Sequence, residues 1–262
     1  MNKPFLFAFL MVTIIFAGSV WAAGHGAAVR SGECGDFDDV CQYTLYEDGH
    51  LDVQGFHHVE SAPWSEFASD VTSLSIHNGG SVDTNKFSSL TNLTNLEINN
   101  VTELYRNGFQ NNTSVTDLTV SAQEIGNRVF SGMTGVTNLS LGNIASIGDE
   151  AFSGMSGVTA FVIPDSLTDM SEDCGIHSPQ KVYCQDTTKD RCANLFSEFY
   201  RKPEIILYTK DPVSGKIKVG NKTYASFDDI AKGNYIKKRI YTVEEATRLS
   251  KPTGNTFMIR YK

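Results

Sequence analysis

Residues 147–164 read IGDEAFSGMSGVTAFVIP, and the apolar positions of this stretch return along the chain at a fixed interval. With Phe152 as position zero, apolar residues stand five places before it and six, nine and eleven places after it. The same pattern surrounds Phe87, Phe109 and Phe130, with a period of 21 to 22 residues. The matched residues are Val82, Leu104, Ile125 and Ile147 at −5; Leu93, Val115, Val136 and Val158 at +6; Leu96, Leu118, Leu139 and Phe161 at +9; and Ile98, Val120, Leu141 and Ile163 at +11. A period of this length predicts a solenoid of stacked repeats.

The spacing inside the repeat indicates how each copy folds. Positions +9 and +11 are separated by one residue, so both side chains point to the same face of a short strand. One such strand per repeat, stacked in parallel, buries a ladder of aliphatic side chains that no single repeat could bury. The aromatic residue at position zero is expected on the opposite wall of the coil, where its ring fills the space between repeats.

Two less regular copies flank the four good ones. The earlier copy has Ser65 at position zero, with Trp64 beside it. Its apolar residues are Val71, Leu74 and Ile76. A later copy places Cys174 in the phenylalanine position, followed by strand-like residues 181–184 one residue out of phase. These copies are expected to form the edge rungs of the stack.

A hairpin is predicted before the first repeat. Tyr43, Leu45, Leu51 and Val53 alternate with polar residues around the turn Asp48-Gly49. Alternation of this kind on both sides of an Asp-Gly pair is typical of a tight hairpin. Because a repeat stack needs covered ends, this hairpin is expected to cap the first rung.

These segments together resemble a known family. The stretch 147–166, with its Ile-Gly, Ala-Phe and Ile-Pro pairs, resembles the BspA-type leucine-rich repeat, and residues 34–64 are similar to the cap that precedes such repeats. The resemblance covers about residues 33–192. It implies a secreted or surface-exposed protein of bacteria or some protists that binds or adheres to proteins of a host or a neighbouring cell. It supplies no catalytic residues.

The sequence thus predicts an α/β-type solenoid: a short leucine-rich-repeat stack with one parallel strand per 21–22-residue repeat, an N-terminal hairpin cap and a small C-terminal α/β module. The predicted domains are a signal peptide at 1–23, the N-terminal cap at 24–64, the repeats with a C-terminal cap at 65–192, and a basic C-terminal module at 200–262.

The first 23 residues have the features of a secretory signal. Lys3 precedes an apolar run at residues 5–20. Small residues at Val20 and Ala22 match the cleavage site of a secretory signal peptide, so cleavage is expected after Ala22 or Ala23. The alternative is a membrane anchor, but the apolar run has only about 16 residues. A spanning helix needs about 20. The expected product is an exported chain without a membrane span, either secreted, periplasmic or at the cell surface.

The charge changes sign near residue 200. Residues 1–199 carry a formal charge of −16 and residues 200–262 carry +8. Strands are predicted at 204–209, 216–219 and 256–261, and helices at 226–232 and 242–249. Docking of this basic tail on the acidic repeats is the favoured interpretation of the charge, and nucleic acid is not expected as a partner of an exported chain.

Five cysteines in an exported chain indicate disulfides. Cys34 and Cys41 are close enough to close a small loop. The other three lie where the array ends, and the favoured pairing joins Cys184 to Cys192 and leaves Cys174 buried and free. Their spacings do not match the short paired spacings of zinc sites.

No catalytic, cofactor or metal site is predicted. The chain lacks the Gly-x-Ser-x-Gly, His-Glu-x-x-His and phosphate-loop motifs. His50, His57 and His58 are interpreted as solvated loop residues, since no carboxylate or cysteine stands at a matching offset. The acidic residues at 36–39 lack the regular ligand spacing of a calcium loop.

A ligand would touch the strand positions that face solvent. At +8, +10 and +12 these include Ser73, Ser75 and His77 in the earlier copy. The predicted ligand-facing residues are Asn95, Glu97, Asn99, Asp117, Thr119, Ser121, Asn138 and Ser140. The predicted function is non-catalytic: binding of an unidentified protein or cell-surface ligand, or adhesion. The alternative is an enzyme or inhibitor activity in the C-terminal module, with the repeats as its scaffold.

Overall fold

The repeated apolar residues line up across parallel strands in the computed structural model of this chain. The structure describes residues 24–35, 41–56, 62–105, 107–176, 181–185, 189–199 and 203–231. The predicted signal peptide, the acidic run at 36–39, His57, His58 and the tail beyond residue 231 lie outside these ranges.

Short strands dominate the described residues. The strands are β1 (Ala28–Glu33), β2 (Gln42–Tyr46), β3 (His50–Gln54), β4 (Ser73–His77), β5 (Ser81–Asp83), β6 (Asn95–Tyr105), β7 (Asp117–Ile125), β8 (Asn138–Leu141), β9 (Ser146–Ile147), β10 (Ala160–Val162), β11 (Asp169–Met170), β12 (Lys181–Gln185), β13 (Glu204–Lys210), β14 (Ile217–Val219) and β15 (Lys222–Tyr224). The α-helices are α1 (Lys189–Leu195) and α2 (Phe227–Ala231), and 3-10 segments span Pro63–Asp70 and Thr84–Phe87. None of the helices in the described ranges is long and apolar enough to cross a membrane.

The first ladder contains the predicted +9 and +11 residues up to the copy of Phe130, whereas Phe161 of the next copy lies on β10 in a second sheet. Its two rows are Leu74, Leu96, Leu118 and Leu139, and Ile76, Ile98, Val120 and Leu141, each in register on parallel strands. Leu51 and Val53 of β3 extend both rows by one rung. Leu96 and Ile98 are fully buried. Burying an aliphatic side chain of this size stabilises the fold by about 1.5–3 kcal/mol, so the ladder is a main source of stability.

A second ladder, which the predicted single short strand per repeat did not include, accompanies the first. The −5 residues Val82, Leu104, Ile125 and Ile147 also lie in register on parallel strands, and Met170 continues the row. Between the two ladders the repeats contain turns and 3-10 segments, so the α/β-type description was wrong for the repeats; the described α-helices follow them. β6 and β7 each contribute to both ladders as one long strand, whereas the −5 residues Val82 and Ile147 lie on the separate short strands β5 and β9. In both arrangements too few residues remain for a helix in a short repeat. Gly132 and Gly154 also adopt positive φ in the connecting segment, which ends right-handed helical geometry.

The position-zero phenylalanines form a stack on the opposite wall. Ring centroids are 5.6 Å apart between Phe87 and Phe109, 6.0 Å between Phe109 and Phe130, and 5.8 Å between Phe130 and Phe152. In the first, degenerate copy the ring of Trp64 occupies this place, not Ser65, because Trp64 stacks on Phe87. Large rings in offset contact bury much apolar surface and tie each repeat to the next.

The N-terminal segment extends the sheet. β2 and β3 pair antiparallel, with Gly49 at positive φ in the turn, and β1 adds a third antiparallel strand that was not predicted. A disulfide joins Cys34 to Cys41. Because β3 pairs in parallel with β4, the hairpin is hydrogen-bonded to the first rung as well as packed on it.

At the other end a second sheet runs in the order β10-β12-β13-β14-β15. β12 pairs in parallel with both β10 and β13, so the sheet is continuous across the change of charge near residue 200. A disulfide joins Cys184 of β12 to Cys192 of α1, and Cys174 is buried and free. A small separate core forms around Tyr183, Tyr208 and Ile217.

Candidate binding surface

The side chains that alternate with the buried residues on β6, β7 and β8 form one surface, which we call the outward face. It consists of the eight predicted ligand-facing residues: Asn95, Glu97, Asn99, Asp117, Thr119, Ser121, Asn138 and Ser140. Register aligns Asn95 with Asp117 and Asn138 in one row, and Glu97 with Thr119 and Ser140 in the next. Asn95, Asn138 and Ser140 are exposed, and the other five are half-buried.

Hydrogen bonds within the outward face hold its carboxylates in place. Asn138 donates from Nδ2 to Asp117 Oδ1 at 2.6 Å, and the hydroxyl of Thr116 donates to the other oxygen at 2.7 Å. These two bonds lower the pKa of Asp117, because they stabilise its ionised form. Asn99 in turn donates to Glu97 at 2.6 Å. The carboxylates of Asp117 and Glu97 are therefore held in fixed orientations on the outward face.

The third row of the outward face is interrupted by a bulge. The register of β6 on β7 shifts between Ile98 and Val101, so Asn99 and Ser121 are not aligned. Asn100 adopts a positive φ of 53° at this corner and donates to Asn78, which has the same backbone conformation. Asparagine tolerates this left-handed geometry better than most residues. The same left-handed corner thus recurs in two successive copies, at Asn78 and Asn100.

On β3 and β4, which precede β6 in the sheet, several polar side chains are buried, and this corrects a prediction. Ser75 and His77 were expected to face solvent, but they are 5% and 3% exposed. Asp52 of β3 lies beside them, also buried, with Oδ1 3.4 Å from His77 Nε2. Gln54 donates to the other oxygen of Asp52 at 2.9 Å. These residues form a polar layer inside the N-terminal end, so a ligand could not reach them without rearrangement.

His50 is also buried, not a solvated loop residue as predicted. It begins β3, and its Nδ1 lies 2.8 Å from Ser73 Oγ. Its ring stacks on that of His25 at 3.8 Å, and His25 Nδ1 lies 2.7 Å from Asp48 Oδ2. Burial lowers the pKa of His50, and the neighbouring His25 lowers it further. In the described part of the chain, no three His, Cys, Asp or Glu side chains are placed to hold a metal ion.

A cleft of about 860 Å³ adjoins the outward face at its C-terminal side. It lies where the sheet divides, because β8 pairs with β7 and β10 pairs with β12, whereas the described strands show no pairing between β8 and β10. Its lining includes Ser140, Gly142, Val162, Tyr208, Lys210 and Phe227. Ser140 belongs to both surfaces, so the outward face and the cleft are continuous.

Sequence reasoning missed Tyr208 and Phe227 as part of this surface. The ring of Phe227 in α2 packs edge-on against Tyr208 at 4.9 Å and Tyr183 at 5.9 Å. These contacts fold the C-terminal segment over the end of the sheet. Both residues follow the last periodic repeat, so no repeat position indicated where they lie. The only available signal was the cluster of aromatic residues after the array ended.

A second cleft, of about 870 Å³, lies between α1 and β11. Arg191 lines it together with the acidic residues Asp169, Glu172 and Glu198. Arg191 donates to the backbone carbonyls of Pro164, at 3.2 Å, and Leu167. The arginine thus anchors α1 to the preceding turn. Its role in this cleft is structural.

Comparison with known proteins identifies the repeats. The pattern of the "BspA type Leucine rich repeat region" matches residues 66–178 in six copies. No curated protein matches the chain.

Two crystal structures are similar to this one. A leucine-rich repeat protein from Eubacterium ventriosum is 16% identical, with a TM-score of 0.46, over 73% of this chain and 49% of that protein. A leucine rich cell surface protein from Faecalibacterium prausnitzii is 15% identical, with a TM-score of 0.35, over 73% of this chain and 62% of that protein. The chain thus spans about half the length of the first structure and less than two thirds of the second.

Proposed function

Because residues 66–178 form a BspA-type leucine-rich repeat region, we propose that this chain is an exported, non-catalytic protein that binds another protein. The binding site is the outward face together with the adjoining cleft. The partner contacts the rows of Asn, Asp, Thr and Ser residues and inserts a side chain beside Tyr208 and Phe227.

The continuity of the outward face with an aromatic cleft is the observation that carries this proposal. Interface residues that dominate affinity are enriched in aromatic types and cluster in pockets surrounded by polar groups. The outward face alone has few residues of that kind. Tyr208 and Phe227 supply them at its edge, and Lys210 adds an exposed positive charge.

Export is part of the same proposal. Support comes from the signal-like residues 1–23 and from the disulfides Cys34–Cys41 and Cys184–Cys192, because disulfides persist in oxidising compartments. Expression of the full chain, followed by fractionation of cells and medium, tests this part. Retention of the uncut chain in the cytosol would contradict it.

Binding can be tested with matched threonine variants. The purified exported protein is screened on arrays of host and bacterial surface proteins, and each hit is measured by interferometry. Thr119→Arg places a bulky charge at the centre of the outward face and is expected to weaken a specific partner at least about tenfold, or 1.4 kcal/mol. Thr134→Arg changes an exposed turn residue after Phe130 and serves as the control.

The two variants make the result decisive. Loss of binding with Thr119→Arg and not with Thr134→Arg supports the proposed surface. Equal affinities for both variants and the unmodified protein would place the contact elsewhere.

A further inference from the structure

The first ladder ends at β8, although the repeat stack continues beyond it. Leu118 and Val120 of β7 are 1% and 0% exposed, whereas Leu139 and Leu141, which follow them in the two rows, are half-buried. Leu139 and Leu141 both line the cleft of about 860 Å³ that adjoins the outward face. Because an uncovered rung exposes apolar side chains, this end of the ladder offers a site for one more strand.

The backbone hydrogen bonds stop at the same place. The N–H of Thr116 donates to the carbonyl of Thr94 at 2.9 Å, and that of Thr137 donates to Thr116 at 3.0 Å. In the described ranges no such bond joins Thr159 to Thr137, and the carbonyl of Thr159 accepts from Lys181 at 3.0 Å. The next copy therefore pairs onward with β12 and leaves β8 without its neighbour.

One edge of β8 thus carries no strand. The N–H groups of Asn138 and Gly142 donate toward β7, at 3.1 and 2.7 Å. Since alternate residues of a parallel strand bond to the same neighbour, the amide and carbonyl groups of Leu139 and Leu141 point away from β7. Among the described strands, β8 pairs with β7 and with none on its other side. Unpaired backbone groups along a sheet edge are a template for another extended segment.

The opening between β8 and β10 is closed at one end. The hydroxyl of Ser166 donates to the carbonyl of Ile144 at 2.8 Å and accepts from the N–H of Ile144 at 3.0 Å. β9 and β11 also pair in parallel. The two copies therefore remain joined, and the cleft between them is a wedge.

The width of this wedge limits how a segment can pair. Cα atoms of β8 and β10 come within 8 Å of each other. A strand bonded to both would need two spacings of about 4.8 Å, so an added segment pairs with β8 alone.

We propose that this cleft binds an extended segment of the partner protein, which pairs with the open edge of β8 and carries apolar side chains at alternate positions. The inference rests on the proposed function, since it specifies which part of the partner enters the cleft. Main-chain hydrogen bonds supply affinity in this mode, and pockets for alternate side chains supply specificity. The preceding rungs show the pattern that fits, because each presents two apolar residues separated by one.

The lining of the cleft also indicates the charge of the segment. Its apolar part includes Val162 and the ring of Phe227, and its charged residues are Lys210 and Asp165. Asp165 lies 3.9 Å from Arg191, whereas Lys210 is exposed and has no ion pair among the described residues. Charge complementarity therefore favours a segment with a carboxylate that faces Lys210.

The first measurement needs no partner. Amide exchange of the purified exported protein, followed by NMR, is expected to be at least about tenfold faster at Leu139 and Leu141 than at Leu118 and Val120, because the amides of β7 are bonded to β8. Equally slow exchange at all four would show that β8 is paired in solution and would overturn the proposal. Slower exchange of Leu139 and Leu141 at higher protein concentration would assign the edge to a second copy and would also overturn it.

The binding probe is an acetylated and amidated peptide with the sequence of residues 116–122. It carries Leu118 and Val120 at alternate positions and one carboxylate, that of Asp117. In excess, it is expected to slow exchange at Leu139 and Leu141 at least about tenfold. A peptide of the same composition with its leucine and valine adjacent is the control and should give no protection.

N-methylation of the probe tests the backbone pairing itself. Two versions carry N-methyl groups on alternate residues, one version for each set. Only the amides on one side of an added strand bond to β8, so one version should lose the protection and the other should keep it. No protection by the unmodified peptide, or equal protection by both methylated versions, would overturn the proposal.

A charge reversal tests the acidic character of the segment. Lys210→Glu is expected to weaken binding of the peptide by about fivefold or more at low salt. Lys216→Glu, at an exposed lysine that does not line the cleft, is the control and should have a much smaller effect. Equal effects of the two variants would contradict the role of Lys210.

These outcomes are distinguishable from failure of the proposed function. The array screen with Thr119→Arg reports whether the outward face contacts a partner, whereas exchange at Leu139 and Leu141 reports on the edge of β8. Slow exchange at β8 together with a partner that depends on Thr119 would leave the proposed function standing and overturn this inference. Fast exchange with protection by the peptide supports the edge, even if no partner depends on Thr119.

Discussion

Trp64 lies parallel to Phe87, with ring centroids 4.8 Å apart and an interplanar angle of 2°. Trp64 also donates from its indole nitrogen to the carbonyl of Lys86 at 2.8 Å. A residue outside the regular pattern thus completes the phenylalanine stack at its N-terminal end, and the N-terminal cap packs on its ring through Tyr43.

Replacement of Trp64 should therefore destabilise the whole chain. Trp64→Ala leaves a large cavity and is expected to cost about 3–5 kcal/mol of the free energy of unfolding, measured by urea denaturation. Val213→Ala, at a side chain that is 96% exposed, is the control and should leave the midpoint unchanged. A small effect of Trp64→Ala would show that the stack does not depend on its end.

Gly108 tests the close approach of neighbouring coils. A Cβ at this position would lie 1.5 Å from the carbonyl oxygen of Thr84, and the N–H of Gly108 donates to Thr84 Oγ1 at 2.9 Å. Gly108→Ala must push the two coils apart and is expected to cost about 3 kcal/mol or more of unfolding free energy. The neighbouring exposed variant Gln110→Ala should change it by less than about 0.5 kcal/mol. Similar midpoints for the two variants would contradict the packing described.

Acid should weaken the N-terminal end through His50. In the unfolded chain this histidine titrates near a pKa of about 6.5, whereas burial and the adjacent His25 lower its pKa in the folded chain, against smaller opposite effects of Asp52 and Asp48. The unfolded state therefore takes up the proton first as pH falls. The stabilisation that neutral His50 provides above about pH 6.5 is therefore lost as pH falls from that value to the lowered pKa of His50 in the folded chain.

The measurement is the urea midpoint at about pH 7.5 and about pH 5, on either side of the ordinary histidine value. His50→Gln, which cannot be protonated in this range, should show a smaller decrease than the unmodified protein. Equal decreases in the two proteins would assign the acid sensitivity to other groups.

Cys174 should be chemically silent in the folded protein. It is fully buried, and burial raises its pKa to about 11, so very little thiolate forms near pH 8. Iodoacetamide is expected to leave it unmodified until urea unfolds the chain, as followed by mass spectrometry. Ser156→Cys introduces an exposed thiol as a positive control. Rapid labelling of Cys174 at the rate of that control would contradict its burial.

Much of the repeat fold could be predicted because its contacts are periodic. Leu96 meets Leu118 for the same reason that Leu74 meets Leu96, and one spacing describes them all. The sequence showed that the −5 residues recur with the same period. The three residues around each of them did not indicate a separate strand, so the second ladder was not predicted. The outward face was predicted from alternation alone, although its binding role is still a prediction.

The sequence by itself determined the stacked repeats, their register and the phenylalanine stack, because each depends on neighbours one period away. Only the tertiary structure decided that His50, Asp52 and His77 are buried, that His25 stacks on His50, and that Tyr208 and Phe227 reach the edge of the outward face. These contacts join residues outside the period. They depend on how the chain ends fold back on the stack, and no local spacing encodes that path.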